Sequence, residues 1–202
     1  MTFLEIMQAV AKNAGIDTPA TTGSNDPDQV KLAQFINEAG AELVRRVDWS
    51  ALRKIATLTG TGSATDHSLP SDFDRLTVGM NVSYEGSPVR GSLTPDEWGA
   101  LTPVKGSPRY YYLRGSVMAF YPYLDTDKQA RVQYQAKNWV NNGASSTFTI
   151  DGDTPMIPSD LIVMGAIWRW RRHVGKDFAD HVAEFEAALV DRARADSGTR
   201  LP

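Results

Sequence analysis

Leu161-Ile-Val-Met-Gly-Ala-Ile-Trp-Arg-Trp170 carries a single charge, Arg169, and its apolar residues occupy every side of a helical wheel. Trp168 and Trp170 stand about 200° apart on a helix and cannot share a face. Leu161, Met164, Gly165 and Trp168 define one side, whereas Ile162, Val163, Ala166 and Trp170 spread over the others. A helix that is apolar all round is buried all round. In a chain of 202 residues it is either the central helix of a bundle or a helix shared between its own core and a second subunit. The apolar run Leu161–Trp168 is far shorter than the roughly 20 residues that span a bilayer.

Helical signals flank this stretch on both sides. Ser159 is the expected cap at its start, the helix is expected to run to about His173, and Gly175 breaks it. Asp177 then opens a last helix in which Phe178, Val182, Phe185 and Leu189 form an apolar seam ending at Ala193. At the other end of the chain, Thr2 and Glu5 have the spacing of a capping box. Leu4, Met7, Val10 and Ala11 follow as one stripe, with Gly15 where a left-handed cap is expected. A longer helix is predicted over 27–47, with Asp26 as cap, Pro27 at the first helical position and Asp28 near the exposed amides. Leu32, Ala33, Ile36, Ala39, Gly40, Leu43 and Val47 form its apolar side, and small Ala39 and Gly40 permit a close helix neighbour.

Between these helices the period changes from helical to two. Thr57–Thr59, Leu76–Val78, Val82–Tyr84, Arg109–Leu113, Val117–Tyr121, Ala130–Ala136 and Thr147–Ile150 are strand candidates separated by turn residues. Glu85-Gly86 and Arg114-Gly115-Ser116 are predicted hairpin tips. A short helix over 95–101 is predicted behind a capping box of Thr94 and Glu97. The expected fold class is α+β: an antiparallel helical bundle formed by the N- and C-terminal helices, with an inserted small antiparallel β sandwich or barrel. The expected boundaries are 1–53 and 158–196 for the bundle, 54–157 for the β-rich insertion, and 197–202 for a mobile C-terminal tail.

Composition narrows the functional classes. The chain is 42% apolar and 22% charged, as in ordinary globular proteins, and has no cysteine, so disulfides, thiolate metal sites and cysteine nucleophiles are excluded. A formal net charge of −3 does not suit a dedicated DNA binder. Met1-Thr-Phe-Leu-Glu lacks the positive start of a secretion signal, and a soluble protein of the cytosol is expected. Gly60-Thr-Gly62-Ser-Ala-Thr65 lacks the lysine of a phosphate loop and reads as a turn. His67, His173 and His181 have no carboxylate at ligand spacing, so no metal and no cofactor are expected. Asp72 with Asp74, Asp125 with Asp127, and Asp151 with Asp153 recur at i, i+2, but none continues into a calcium loop and all have a turn explanation. No catalytic residues are expected. Arg169, Arg171, Arg172, His173 and Lys176 make a local basic cluster, either complementing a helix C-terminus or docking an acidic partner.

Several local phrases, taken with this order of elements, resemble the head-to-tail connector (adaptor) proteins of tailed bacteriophages. They are Val47-Asp-Trp49-Ser-Ala-Leu52, Leu69-Pro-Ser-Asp72-Phe-Asp74-Arg-Leu76, the Pro108–Pro122 hairpin, Arg131-Val-Gln-Tyr134, Ile157-Pro-Ser-Asp-Leu-Ile162 before Trp168-Arg-Trp170, and Glu184-Phe-Glu186. The resemblance implies a non-enzymatic structural virion protein. It implies a homo-oligomeric ring, typically of twelve subunits, between the portal protein and a tail or nozzle protein, surrounding genomic DNA without specific recognition. It also implies a C-terminal segment, here the last helix and the tail through Arg200, that docks on the portal. The location implied is the virion neck, after assembly in the host cytoplasm, with no membrane partner. The expected subunit and portal interface comprises Ile162, Ala166, Trp170, Arg169, Arg171, Arg172, Lys176 and Arg200. Trp168 is expected to face the chain's own core and Trp170 a neighbour. Two rival readings are a minor tail or baseplate component and a glycan hydrolase using acids such as Asp72, Asp74 and Asp127.

Overall fold

The computed structural model describes residues 1–79, 81–102, 106–141 and 145–197. The chain divides into two compact units, one formed by Met1–Leu52 with the chain from Lys137 onward, the other by Arg53–Ala136.

The first unit contains α1 (Phe3–Ala14), α2 (Pro27–Arg46), α4 (Ser159–His173) and α5 (Ala179–Asp196). The expected caps of α1 and α2 form: Thr2 and Glu5 complete the box, Gly15 ends α1 at φ 72°, and Asp26 accepts the amides of Asp28 and Gln29. Two expected caps differ. Ser159 is the first residue of α4, and Pro158 holds the cap position, so there is no side-chain cap because proline carries no acceptor for the helix amides. At α5, Phe178 holds the cap position while the Asp177 carboxylate accepts the Ala179 amide at 3.1 Å.

Helix α4 packs against α1, α2 and α5, and α1 also meets α2. The crossing is tight at Gly165, where a Cβ would stand 2.9 Å from the Cβ of Ala39 on α2 and 3.3 Å from the ring of Phe185 on α5. Ala39 therefore permits the close neighbour its size suggested. Gly40 does something else: it receives the outer edge of the Trp139 six-membered ring, from the irregular segment that precedes α4. That segment also supplies Val140, Phe148 and Ile157 to the same apolar cluster, with Phe148 stacked on Phe3 at 4.8 Å and meeting Trp139 edge-on at 4.7 Å.

Thr147–Ile150 is not a strand. Its amides go to side chains instead of a ladder: Phe148 N–H donates to Asn37 Oδ1 at 2.7 Å, and the Thr149 and Ile150 amides donate to the Asp153 carboxylate at 2.6 and 3.0 Å. Polar ties close the helical unit. Arg46 on α2 makes two hydrogen bonds with Glu186 on α5, at 2.7 and 2.5 Å, which holds the glutamate below its usual carboxylate range. Asp196 at the end of α5 accepts the amide and hydroxyl of Ser50, both at 2.7 Å.

The second unit is antiparallel. Strands β1 (Arg53–Thr59), β3 (Phe73–Leu76), β4 (Val82–Tyr84), β5 (Ser87–Pro88) and β8 (Gln129–Ala136) form one sheet, ordered β1-β8-β4-β5 with β3 also paired to β8. Strands β2 (Asp66–Ser68), β6 (Tyr110–Arg114) and β7 (Val117–Tyr121) form a second sheet, ordered β2-β7-β6. Both contribute to one apolar cluster that includes Leu58, Val82, Tyr111, Phe120, Val132 and Tyr134. Neither sheet closes into a barrel among the described residues, which corrects that half of the expectation. Glu85 and Gly86, at φ 45° and 81°, make the tight turn between β4 and β5, and Gly115-Ser116 joins β6 to β7. The short helix α3 (Pro95–Gly99) carries both halves of its Thr94–Glu97 capping box.

Placing a side chain at Gly40 tests the packing of the helical unit. Gly40→Ala must displace the Trp139 ring and is expected to lower stability by about 1–3 kcal/mol, read as a shift of the urea unfolding midpoint at unchanged slope.

Candidate functional site

The wheel of α4 splits into two arcs. Leu161, Ile162, Gly165, Ala166 and Trp170 face inward, and the first two and Ala166 are fully buried with Trp170 only 4% exposed. Val163, Met164, Ile167 and Trp168 occupy the other arc, packed against the core but only half-buried. Trp170 is thus the enclosed tryptophan and Trp168 the half-buried one, the reverse of the burial expected. Trp170 follows Ile162 and Ala166 at four-residue steps and turns inward with them, while Trp168 follows Met164 onto the half-covered arc. Ile162, Ala166 and Trp170, expected at an interface, are enclosed by their own chain and offer no side chain to a neighbour.

The basic cluster divides as well. Arg169 is mostly buried: it donates to the Gly165 carbonyl at 2.7 Å, pairs with Glu42 of α2, lies 3.8 Å from Glu38, and stacks its guanidinium over Trp168 at 4.2 Å. Its charge is neutralised within the chain. Arg171 is half-buried and donates to the Asp177 carbonyl at 2.6 Å, tying the end of α4 to the start of α5. Arg172 and Lys176 are exposed and have no acidic partner among the described residues. Arg200 lies outside the described residues.

A groove of about 330 Å3 opens beside this cluster, between the C-terminal half of α4 and the first half of α2. Phe35 and Trp168 give it an apolar lining. Lys31 and Arg172 bring cations to its rim, beside the His173 ring, with Glu38 the acidic group there. Lys31 sits over the Phe35 ring at 5.2 Å, and the His173 ring meets Phe35 edge-on at 5.6 Å. Lys31, Phe35 and Glu38 were not among the expected site residues, because nothing in the local pattern of α2 says which polar side of that helix meets α4. The Trp168 indole N–H is covered and has no hydrogen-bond partner.

The acidic pairs have structural employment. Asp72 accepts from Lys54 at 2.6 Å and from the Tyr134 hydroxyl at 2.8 Å, and Asp74 pairs with Arg75. Burial would raise the Asp72 carboxyl, but its hydrogen bonds from Lys54 and Tyr134 outweigh that and hold it low. Asp125 accepts the Tyr84 hydroxyl at 2.7 Å, and burial together with that bond pushes the phenol up to about 12. Asp127 is a turn residue at φ 59°, Asp151 accepts from Thr22, and Asp153 is 1% exposed beneath its amide donors. Gly60 and Gly62 close a turn against Lys128 and Leu124 carbonyls and cradle no phosphate loop. Burial lowers the His67 pKa, and its ring packs on Phe120, whereas His181 lies 3.8 Å from Glu184 on its own helix. No group of three or more metal-ligating side chains gathers among the described residues, and none of their helices is long and apolar enough to cross a membrane.

What the geometry offers is surface for assembly: a half-covered apolar arc, an aromatic groove and unpaired cations, beside i, i+2 acidic pairs that serve turns and internal bonds. The sequence model of the SU10 adaptor protein family matches residues 1–202, and the chain belongs to that family. The family is one of phage structural adaptors and not of enzymes, which places the chain in the neck of the virion. No curated protein matches the chain.

Two substitutions separate the arcs of α4. Trp170→Ala is expected to cost about 3–5 kcal/mol in the isolated chain and Trp168→Ala clearly less, measured by chemical unfolding. Equal losses would show that the half-buried arc is as much core as the inner one. For Asp72, a depressed folded-state pKa means stability that is present above the ordinary value of 3.8 and lost as pH falls through the folded one. The wild-type advantage over Asp72→Asn, about 1 kcal/mol at pH 7, should therefore shrink toward zero as unfolding is followed into acid below that value.

Proposed function

We propose that the chain assembles into a closed ring of about twelve copies, seated between portal and tail, that surrounds the DNA exit channel and provides the tail attachment surface. The observation that carries this reading is the outer arc of α4. Val163, Met164, Ile167 and Trp168 remain half-covered in a chain whose family consists of phage structural adaptors. A closing ring needs two different faces on each subunit, one receiving the other. The outer arc of α4 with Arg172 and Lys176 is one such face.

The helical unit makes the ring body and the portal contact in this reading, and the unit Arg53–Ala136 faces the tail. DNA passes the wall during packaging and ejection without being gripped, which agrees with a net charge of −3 and with Arg169 and Arg171 being satisfied internally.

Native mass measurement of the purified chain, alone and mixed with the portal protein of the same particle, tests the proposal. The expected result is a single closed oligomer, formed alone or on the portal. A chain that remains monomeric in both settings refutes it.

A further inference from the structure

The groove between α2 and α4 presents unpaired cations, and α5 presents unpaired acids. Asp180, Glu184, Ala187 and Asp191 follow one another at four, three and four residues and fall on one face of α5, all exposed. Asp180 and Asp191 have no cationic partner among the described residues, and Glu184 has only the nearby His181. Val190, 44% exposed, lies beside this stripe, while Phe185 and Leu189 are turned into the chain's own core. The acids are therefore not used in folding the helix onto α4.

We infer that the groove of one subunit, lined by Phe35 and Trp168 and rimmed by Lys31 and Arg172, receives the acidic outer face of α5 from a second copy. This rests on the ring reading and names the two faces that would close it. The two surfaces match in sign and in kind. Lys31 and Arg172 meet three carboxylates on one helix face, Asp180 and Glu184 one turn apart and Asp191 two turns further on, and the exposed Val190 beside small Ala187 supplies an apolar knob for Trp168 and Phe35. Neither surface is complementary to itself, since one is cationic and the other anionic. The contact is consequently heterologous and propagates from copy to copy until it closes. Unpaired charges on both sides also favour rapid encounter and correct register.

A paired charge reversal tests the inference. One variant carries Lys31→Glu with Arg172→Glu, and the other carries Asp180→Lys, Glu184→Lys and Asp191→Lys. All five positions are at or near the surface, and circular dichroism checks that each variant folds. Each variant alone sets like charges against each other, and its self-association constant should fall by about tenfold or more under the condition in which the wild type assembles. Mixed in equal amounts the variants restore opposite charges at every contact, so assembly returns, with an even number of subunits alternating between the two forms. Variants that each assemble alone like the wild type overturn the inference and leave the ring reading standing. A groove variant that assembles normally but loses only portal binding overturns it too, by assigning the groove to the portal. A wild type that stays monomeric with and without portal removes the ring reading and this inference with it.

Discussion

Every apolar stripe of the helical unit is organised by one requirement: α4 has no polar side to turn toward water over its central turns. Three helices and an irregular segment converge on the same cluster because that rod must be sheltered. Gly165 sets how closely they approach, and Arg169 lets one charge sit near the seam by pairing it with Glu42 and a backbone carbonyl. Removing Glu42 would strand a mostly buried guanidinium, which is far more costly than losing an exposed pair. Once α1, α2 and α5 are in place, one arc of the helix is enclosed and the other is only half-covered, and that remainder is what the chain has to offer a neighbour.

Much of the fold was legible because it depends on local physical chemistry. Capping boxes at Thr2–Glu5 and Thr94–Glu97, the Asp26-Pro27 start of α2 and the glycine end of α1 are fixed by groups a few residues apart. The tight turns at Glu85-Gly86 and Gly115 are local in the same sense. Thr147–Ile150 was illegible for the opposite reason: its alternating pattern suits a strand, but Asn37, more than a hundred residues earlier, and Asp153 compete for its amides. Strands β2 and β5 escaped because they are short and polar and exist only through partners on β7 and β4.

The site was legible as a region and not as a surface. A wheel that is apolar on every side cannot say which side its neighbours will choose, so the inward and outward tryptophans were interchanged. The arginines pose the same difficulty. Arg169, Arg171 and Arg172 are near neighbours in sequence, yet one is bound to an acid, one to a carbonyl and one to neither. That sorting depends on Glu42 and Asp177, reached through packing or a turn. The acid row of α5, by contrast, is plain from its spacing once the inward seam of Phe185 and Leu189 is known.

The pairing of β1 with β8 bears on how the polypeptide reaches its final form. Arg53 stands opposite Gln135 across that ladder, so the strand that leaves the helical unit and the strand that returns to it run side by side. The points where the chain leaves the helical unit, at Arg53, and returns to it, after Ala136, are therefore held within about one strand spacing of each other. Closing a flexible loop of that length would otherwise cost on the order of 4 kcal/mol of chain entropy. The ladder acts as a clasp on the backbone, and the N- and C-terminal helices meet as if joined by a short hinge.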